Sequence, residues 1–122
     1  PEGYRNLMAT GSIEHDFSMG YSENIGFRAG ICSSFNFYDL AQDYETKLRV
    51  HPFAYMDVAL KNGLKLLPEQ AIEEIKQMTD EVRCVGGEMI SIWHNESLSN
   101  KREWIGWRYV YEKMIEYSVN KK

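Results

Sequence analysis

The stretch Glu88-Met89-Ile90-Ser91-Ile92-Trp93-His94-Asn95, entered through Gly86-Gly87, sets the fold expected of the whole chain. Its short apolar run, Met89, Ile90, Ile92 and Trp93, reads as a buried strand that ends on His94 and Asn95. In α/β folds, ligands bind and chemistry is done at the C-terminal ends of strands. His94 is therefore a candidate functional group, with a satisfied core or rim histidine as the equal alternative.

The flanking segments fit the same plan. Leu67-Pro68-Glu69-Gln70 has proline near a first turn and an acid after it, a helix start. Ala71, Ile72, Ile75, Met78, Val82 and Val85 then form an apolar stripe, predicting a helix over 68–85 that stops at Gly86-Gly87. Beyond a polar loop at 96–102, residues 104–119 read as a last amphipathic helix with Trp107, Val110, Tyr111, Met114 and Ile115 toward the core. The basic Lys121-Lys122 tail suits its C-terminus.

Toward the N-terminus, Tyr4–Ala9 reads as the last turns of a helix stopped by Gly11. Residues 12–17 read as a strand with Ile13, His15 and Phe17 on one face and Glu14 and Asp16 on the other. Residues 18–25 form a loop, and Gly26–Gly30 a very short element whose glycines suit unusual φ values. Phe35–Leu40 is a strand and Ala41–Thr46 a turn, and residues 35–55 together read as a hairpin-like excursion with Pro52 at an edge or end. A short helical segment starts near Asp57 and ends near Gly63.

At 122 residues the chain holds one small domain or a piece of a larger one, read as a single partial domain over 1–122. The alternation of strands and helices favours an α/β layout, and no repeat, low-complexity tract or linker interrupts it. The net charge of −4 argues against nucleic acid, and no apolar run reaches membrane-spanning length. Pro1-Glu2-Gly3 opens with no initiator Met, no basic n-region and no apolar h-region, so no signal peptide shows, and a chain that starts in mid-sequence would not show one. Cys32 and Cys84 lack CxxC spacing, which excludes a four-cysteine zinc site; between one disulfide and two free, buried thiols the second is the better reading, and it leans toward a reducing compartment such as the cytoplasm.

Three polar groups stand at or just beyond strand ends: Arg28, Asp57 and His94. A carboxylate on a histidine fixes its tautomer and suits it to general-acid work, and such a set fits hydrolysis of an ester or amide. Each also has a structural reading, Arg28 as a loop clamp and Asp57 as a helix N-cap. His15 and Asp16 face opposite ways on a strand, so they would not share a metal ion. Tyr21, Phe37, Tyr38, Tyr44 and Trp93 could stack on sugar faces, but packing in a core or subunit contact is the better reading for most.

Taken together, Gly26–Gly30, Pro52-Phe53-Ala54-Tyr55-Met56-Asp57 and Ile90–Asn95 resemble the later motifs of polysaccharide deacetylases with the NodB-homology domain. The run from Asp16-Phe17-Ser18-Met19-Gly20-Tyr21 through Gly26–Gly30 and Phe35–Leu40 is similar to a deacetylase-like branch from bacterial polysaccharide gene neighbourhoods. The resemblance extends from about Pro1 to Trp107 and rests on the order and spacing of short motifs. It implies the C-terminal part of a distorted (β/α) barrel. It also implies removal of acetyl groups from a glycan or glycan precursor, with a divalent metal, zinc, activating the attacking water. Arg28 then orients the catalytic base, His94 protonates the leaving group, Asp57 supports His94, and Ile92 lines the acetyl-methyl pocket with the Trp93 aromatic beside it. Gly30 stands where the family has proline, and Val58 where it has tryptophan.

The family's base and metal ligands belong to earlier motifs, an Asp-Asp strand end and a His-x-x-x-His, and neither occurs in these 122 residues. No metal ligand is therefore expected in this chain, the zinc ligands lying elsewhere in the parent protein. The rival reading is a non-catalytic glycan-binding or assembly module of the same fold. A truncated barrel would also leave sheet edges open to pair with a second copy.

Overall fold

The computed structural model describes residues 2–9 and 13–119. In chain order it has helix α1 (Glu2–Ala9), strands β1 (His15–Asp16), β2 (Phe35–Asp39), β3 (Tyr44–Val50) and β4 (Tyr55–Met56), and a π-helical turn at Ala59–Gly63. Helix α2 (Pro68–Val85), strand β5 (Ser91–Ile92), two 3-10 turns at Asn95–Leu98 and Arg102–Trp104, and helix α3 (Trp107–Val119) follow. The mixed α/β composition is as expected. The strands form two small sheets, one of order β1-β3-β2 and a parallel pair β4-β5, and among the described residues they do not close into a ring.

Helix α2 follows its apolar period. Ala71, Ile75, Met78 and Val82 are buried, and the helix starts where Gln70 Oε1 accepts the Leu67 N–H at 2.9 Å. It stops at Gly86, whose φ of 68° is open to glycine at little cost, with Gly86 and Gly87 N–H groups donating to Arg83 and Val82 carbonyls. The core lies between α2, α3 and the β4-β5 pair: Ala54, Tyr55, Leu60, Ala71, Ile75, Met78, Trp104, Trp107 and Val110. Trp104 and Trp107 meet edge to face at 5.8 Å. Tyr117 donates to Asp80 at 2.7 Å, tying the end of α3 to α2.

The two sheets are joined by the backbone just after β3. The His51 N–H donates to the Asp16 carbonyl at 2.8 Å, Phe53 to Met19 at 3.0 Å, and Ala54 to Ile90 at 2.7 Å. Pro52, with no N–H to give, falls between these donors just beyond the end of β3. Helix α1 is too short to hold alone and is tied down by side chains. Arg5 forks onto the Asp39 carboxylate with two bonds of 2.9 Å, and the Tyr4 hydroxyl donates to Asp16 at 2.9 Å. Gly11 and Ser12, and the Lys121-Lys122 tail, lie outside the described residues.

Several expectations are corrected. The first strand is shorter than residues 12–17, because the Asp16 carboxylate accepts the Ser18 N–H and hydroxyl and turns the chain away. The hairpin turn is tighter than Ala41–Thr46: Asp39 caps the N–H groups of Ala41 and Gln42, Asp43 takes φ 54°, and β3 resumes at Tyr44. The central strand narrows to Ser91–Ile92 and is half-buried rather than buried. The final helix begins at Trp107, not 104, because Gly106 at φ 90° separates it from the preceding 3-10 turn. Val85 and Ile115, assigned to apolar stripes, are exposed. The cysteines are free, but Cys84 is exposed and Cys32 half-buried. Tyr21, Tyr38 and Tyr44 are exposed, while Phe37 packs edge-on against Tyr4. Among the described residues no helix is long and apolar enough to cross a membrane.

Candidate active site

Strands β4 and β5 run parallel with Tyr55 opposite Ser91 and Met56 opposite Ile92. Their C-terminal ends therefore lie side by side, and the next residues along each chain are Asp57 and Trp93-His94. This places an acid and a histidine, 37 positions apart in sequence, at one sheet end.

Asp57 is fully buried. Its Oδ2 accepts the His94 backbone N–H at 2.7 Å, and its Oδ1 lies 2.7 Å from His94 Nδ1. Oδ1 also accepts the Val58 N–H at 2.7 Å. An ionised carboxylate only accepts, so the ring nitrogen facing it carries the proton. The imidazole is thereby held with Nδ1–H inward and Nε2 as its other functional edge. The His94 side chain is 50% exposed, so a buried anion orients a ring that reaches solvent. The Asn95–Leu98 turn secures its backbone: Ser97, itself buried, donates from its hydroxyl to the His94 carbonyl at 2.7 Å.

Arg28 is exposed in the turn at Gly26–Gly30 and makes no hydrogen bond or ion pair to Asp57 or His94. It lines a cavity of about 430 Å³ with Ser18, Tyr21, Asn24, Phe53 and Met56, the last being the chain neighbour of Asp57. A second cavity, of about 470 Å³, shares Ser22 and Glu23 with the first and reaches Val58 and Gly63. The two therefore flank the Met56–Val58 segment that carries the buried acid. Arg28 also lies close enough to Tyr4 to act on it. Burial and the Asp16 carboxylate push the Tyr4 hydroxyl up to about 12, and the Arg28 charge pulls the other way.

Ile92 is half-buried in β5. Trp93 turns the other way from a solvent-facing platform: its ring meets Tyr55 at 6.2 Å and Tyr111 at 5.3 Å, both edge to face. The buried Tyr55 hydroxyl faces Ser91 and Trp93, and desolvation pushes it up to about 12. Thus the sheet end joins Asp57 to His94, sets Arg28 on the adjacent cavity, and uses Trp93 in packing.

Sequence reading did not foresee the neighbours of Asp16. Asp16 is buried and gathers Tyr4 and Ser18. The signal available was Asp16 and Ser18 two apart at a strand end, the pattern of a side-chain-capped turn. Among the described residues no three His, Cys, Asp or Glu side chains stand together as a metal-holding group. Both Asp57 oxygens are already committed to N–H groups, so the pair does not fit as a zinc centre.

No known protein family, characterised protein or solved structure matches this chain.

Proposed function

We propose that Asp57 and His94 are the proton-donating half of a hydrolytic site that removes acetyl groups from a polysaccharide or glycan precursor. The observation that carries this reading is the double grip of a buried carboxylate on His94, backbone and ring, which fixes Nδ1 as the donor toward Asp57. In its protonated form the ring presents an Nε2–H, and that proton goes to the departing amine or alkoxide as the acyl bond breaks. Asp57 stabilises the imidazolium before transfer and keeps the ring aimed. Arg28 offers a cation on the neighbouring cavity, suited to holding a carboxylate such as the catalytic base of the parent protein. Ile92 lines the acetyl-methyl pocket.

In this reading the divalent metal, zinc, and the base are supplied from outside these 122 residues, and the two small sheets are parts of a distorted (β/α) barrel completed there. The 122-residue chain alone should release no acetate.

The test is acetate release from N- and O-acetylated oligosaccharides by the parent protein. His94→Gln should lower kcat by about a hundredfold or more with KM little changed. If the parent releases no acetate yet binds the oligosaccharides, the site belongs to a glycan-binding module and the catalytic reading fails.

A further inference from the structure

Most of the aromatics weighed for stacking on sugars are engaged elsewhere. Phe37 packs on Tyr4, Trp93 on Tyr55 and Tyr111, and Tyr38 donates its hydroxyl to Asp43. Tyr44 lines a separate cavity with Ile13 and Leu48. Tyr21 alone stands on the cavities beside the Met56–Val58 segment, 40% exposed, and among the described residues its ring meets no other ring. We propose that Tyr21 is the stacking platform of a glycan-binding trough, formed by the two cavities together, that takes an interior stretch of polysaccharide rather than a terminal sugar. This deepens, and rests on, the reading of Asp57 and His94 as a site acting on a glycan.

The cavities, of about 430 and 470 Å³, share Ser22 and Glu23 and so form one trough. Each is in the size range of a small-ligand site. Met56 lines the first part and Val58 the second. A chain lying along the trough therefore passes the segment that carries Asp57 and continues on both sides of it, whereas a terminal sugar would fill only one part.

The lining matches a sugar ring. A pyranose offers C–H groups on its faces and hydroxyls around its rim. Tyr21 supplies a flat apolar face with a polar tip. Asn24 Oδ1 accepts the Ile25 N–H at 2.8 Å, and Asn62 Oδ1 accepts Lys61 Nζ at 3.3 Å. Each amide is thereby oriented with its NH₂ group left to donate to a hydroxyl. Arg28 and Glu23 put one charge of each sign on the lining, which leaves stacking and hydroxyl contacts, not net charge, to select the ligand.

The platform is held in place by its neighbours. The Phe53 N–H donates to the Met19 carbonyl at 3.0 Å and the Gly26 N–H to the Ala54 carbonyl at 2.8 Å, which ties both ends of the loop at 20–25 to the backbone between β3 and β4. A Cβ at Gly20 would stand 2.3 Å from the Phe53 ring, so only glycine lets the loop pack this closely beside Tyr21. An aromatic presented on a fixed loop loses little freedom when a ligand binds.

Amide chemical-shift titration of the 122-residue chain tests the trough. The probes are acetylated tetramers of glucosamine, galactosamine, mannose and xylose, each beside its monomer. At least one tetramer should shift the amides of residues 21–24 and 62–63, binding about tenfold or more tightly than its monomer. Tyr21→Ala should weaken it about tenfold or more, Tyr21→Phe should retain it, and Tyr44→Ala should leave it unchanged. Binding of no tetramer, equal binding of the monomer, survival of binding in Tyr21→Ala, or shifts confined to other residues would overturn the proposal. Acetate release by the parent is read separately: its absence, with the tetramer still held through Tyr21, would strike the hydrolytic reading alone.

Discussion

Asp57 takes both N–H groups that His94 can turn inward, the backbone one on Oδ2 and the ring one on Oδ1, each at 2.7 Å. One buried carboxylate thus fixes where the histidine sits and which ring nitrogen it shows. The proposed proton transfer depends on a contact that also joins the ends of β4 and β5, so fold and candidate site are coupled at this point.

The coupling has an asymmetric consequence. Asp57→Ala removes the acceptor of three N–H donors at a part-buried position, two of them backbone groups, whereas His94→Ala leaves the Val58 and His94 backbone donors satisfied. Asp57→Ala is expected to cost about 3 kcal/mol or more, and His94→Ala about 1–2 kcal/mol. Urea unfolding of the two variants reads the difference, and equal losses would contradict the arrangement.

Helix α1 is held by two titratable anchors. Arg5 keeps the Asp39 carboxyl below its ordinary value, so its contribution is present above the usual carboxylate range and is lost as pH falls through the lowered folded value. Tyr4 is the opposite case. Raised from 10.0 to about 12, it contributes fully below 10 and loses that contribution as pH climbs toward 12. The helical ¹³Cα shifts of residues 4–9 should therefore collapse at both extremes while those of α2 persist. Arg5→Ala should weaken them already at neutral pH.

The α2 stripe divides by burial. Ile75 is 1% exposed and Val85 71%. Ile75→Ala should destabilise by about 3–4 kcal/mol, and Val85→Ala by no more than about 0.5 kcal/mol. Thermal or urea melts compare the two directly.

Gly63 closes the π-helical turn against the loop that borders the cavities. A Cβ there would lie 2.2 Å from the Glu23 carbonyl oxygen, a backbone atom with no rotamer to escape by. Gly63→Ala should cost about 2 kcal/mol and displace residues 22–24, seen as amide shifts confined to that loop and to Asp57–Val58. Unchanged stability and shifts would refute the packing of that loop.

Much of this was legible in sequence because it is local. The α2 helix announces itself by apolar residues three and four apart, bounded by Pro68 and Gly86. Asp57 and His94 stand out as polar groups just beyond strand ends, whereas Arg28, expected at a strand end too, falls in a turn between β1 and β2. What sequence cannot carry is pairing across distance. The 37-residue span from Asp57 to His94 is closed by the β4-β5 register, and the 36-residue span from His15 to His51 by β1 against β3. Strand lengths were overread because side chains end the strands early, Asp16 capping Ser18 and Asp39 capping Ala41. Trp93, weighed both as a stacking surface beside Ile92 and as a packing residue, meets Tyr55 and Tyr111 edge to face.

The most direct measurement is ¹⁵N–¹H correlation of the His94 ring in the 122-residue chain, beside Asp57→Asn. A neutral ring protonated at Nδ1, with the signal lost or shifted to the Nε2–H form in Asp57→Asn, is the expected result. A wild-type ring protonated at Nε2, or exchanging freely between the two forms, would contradict the Asp57–His94 contact and remove the basis for His94 as an oriented proton donor.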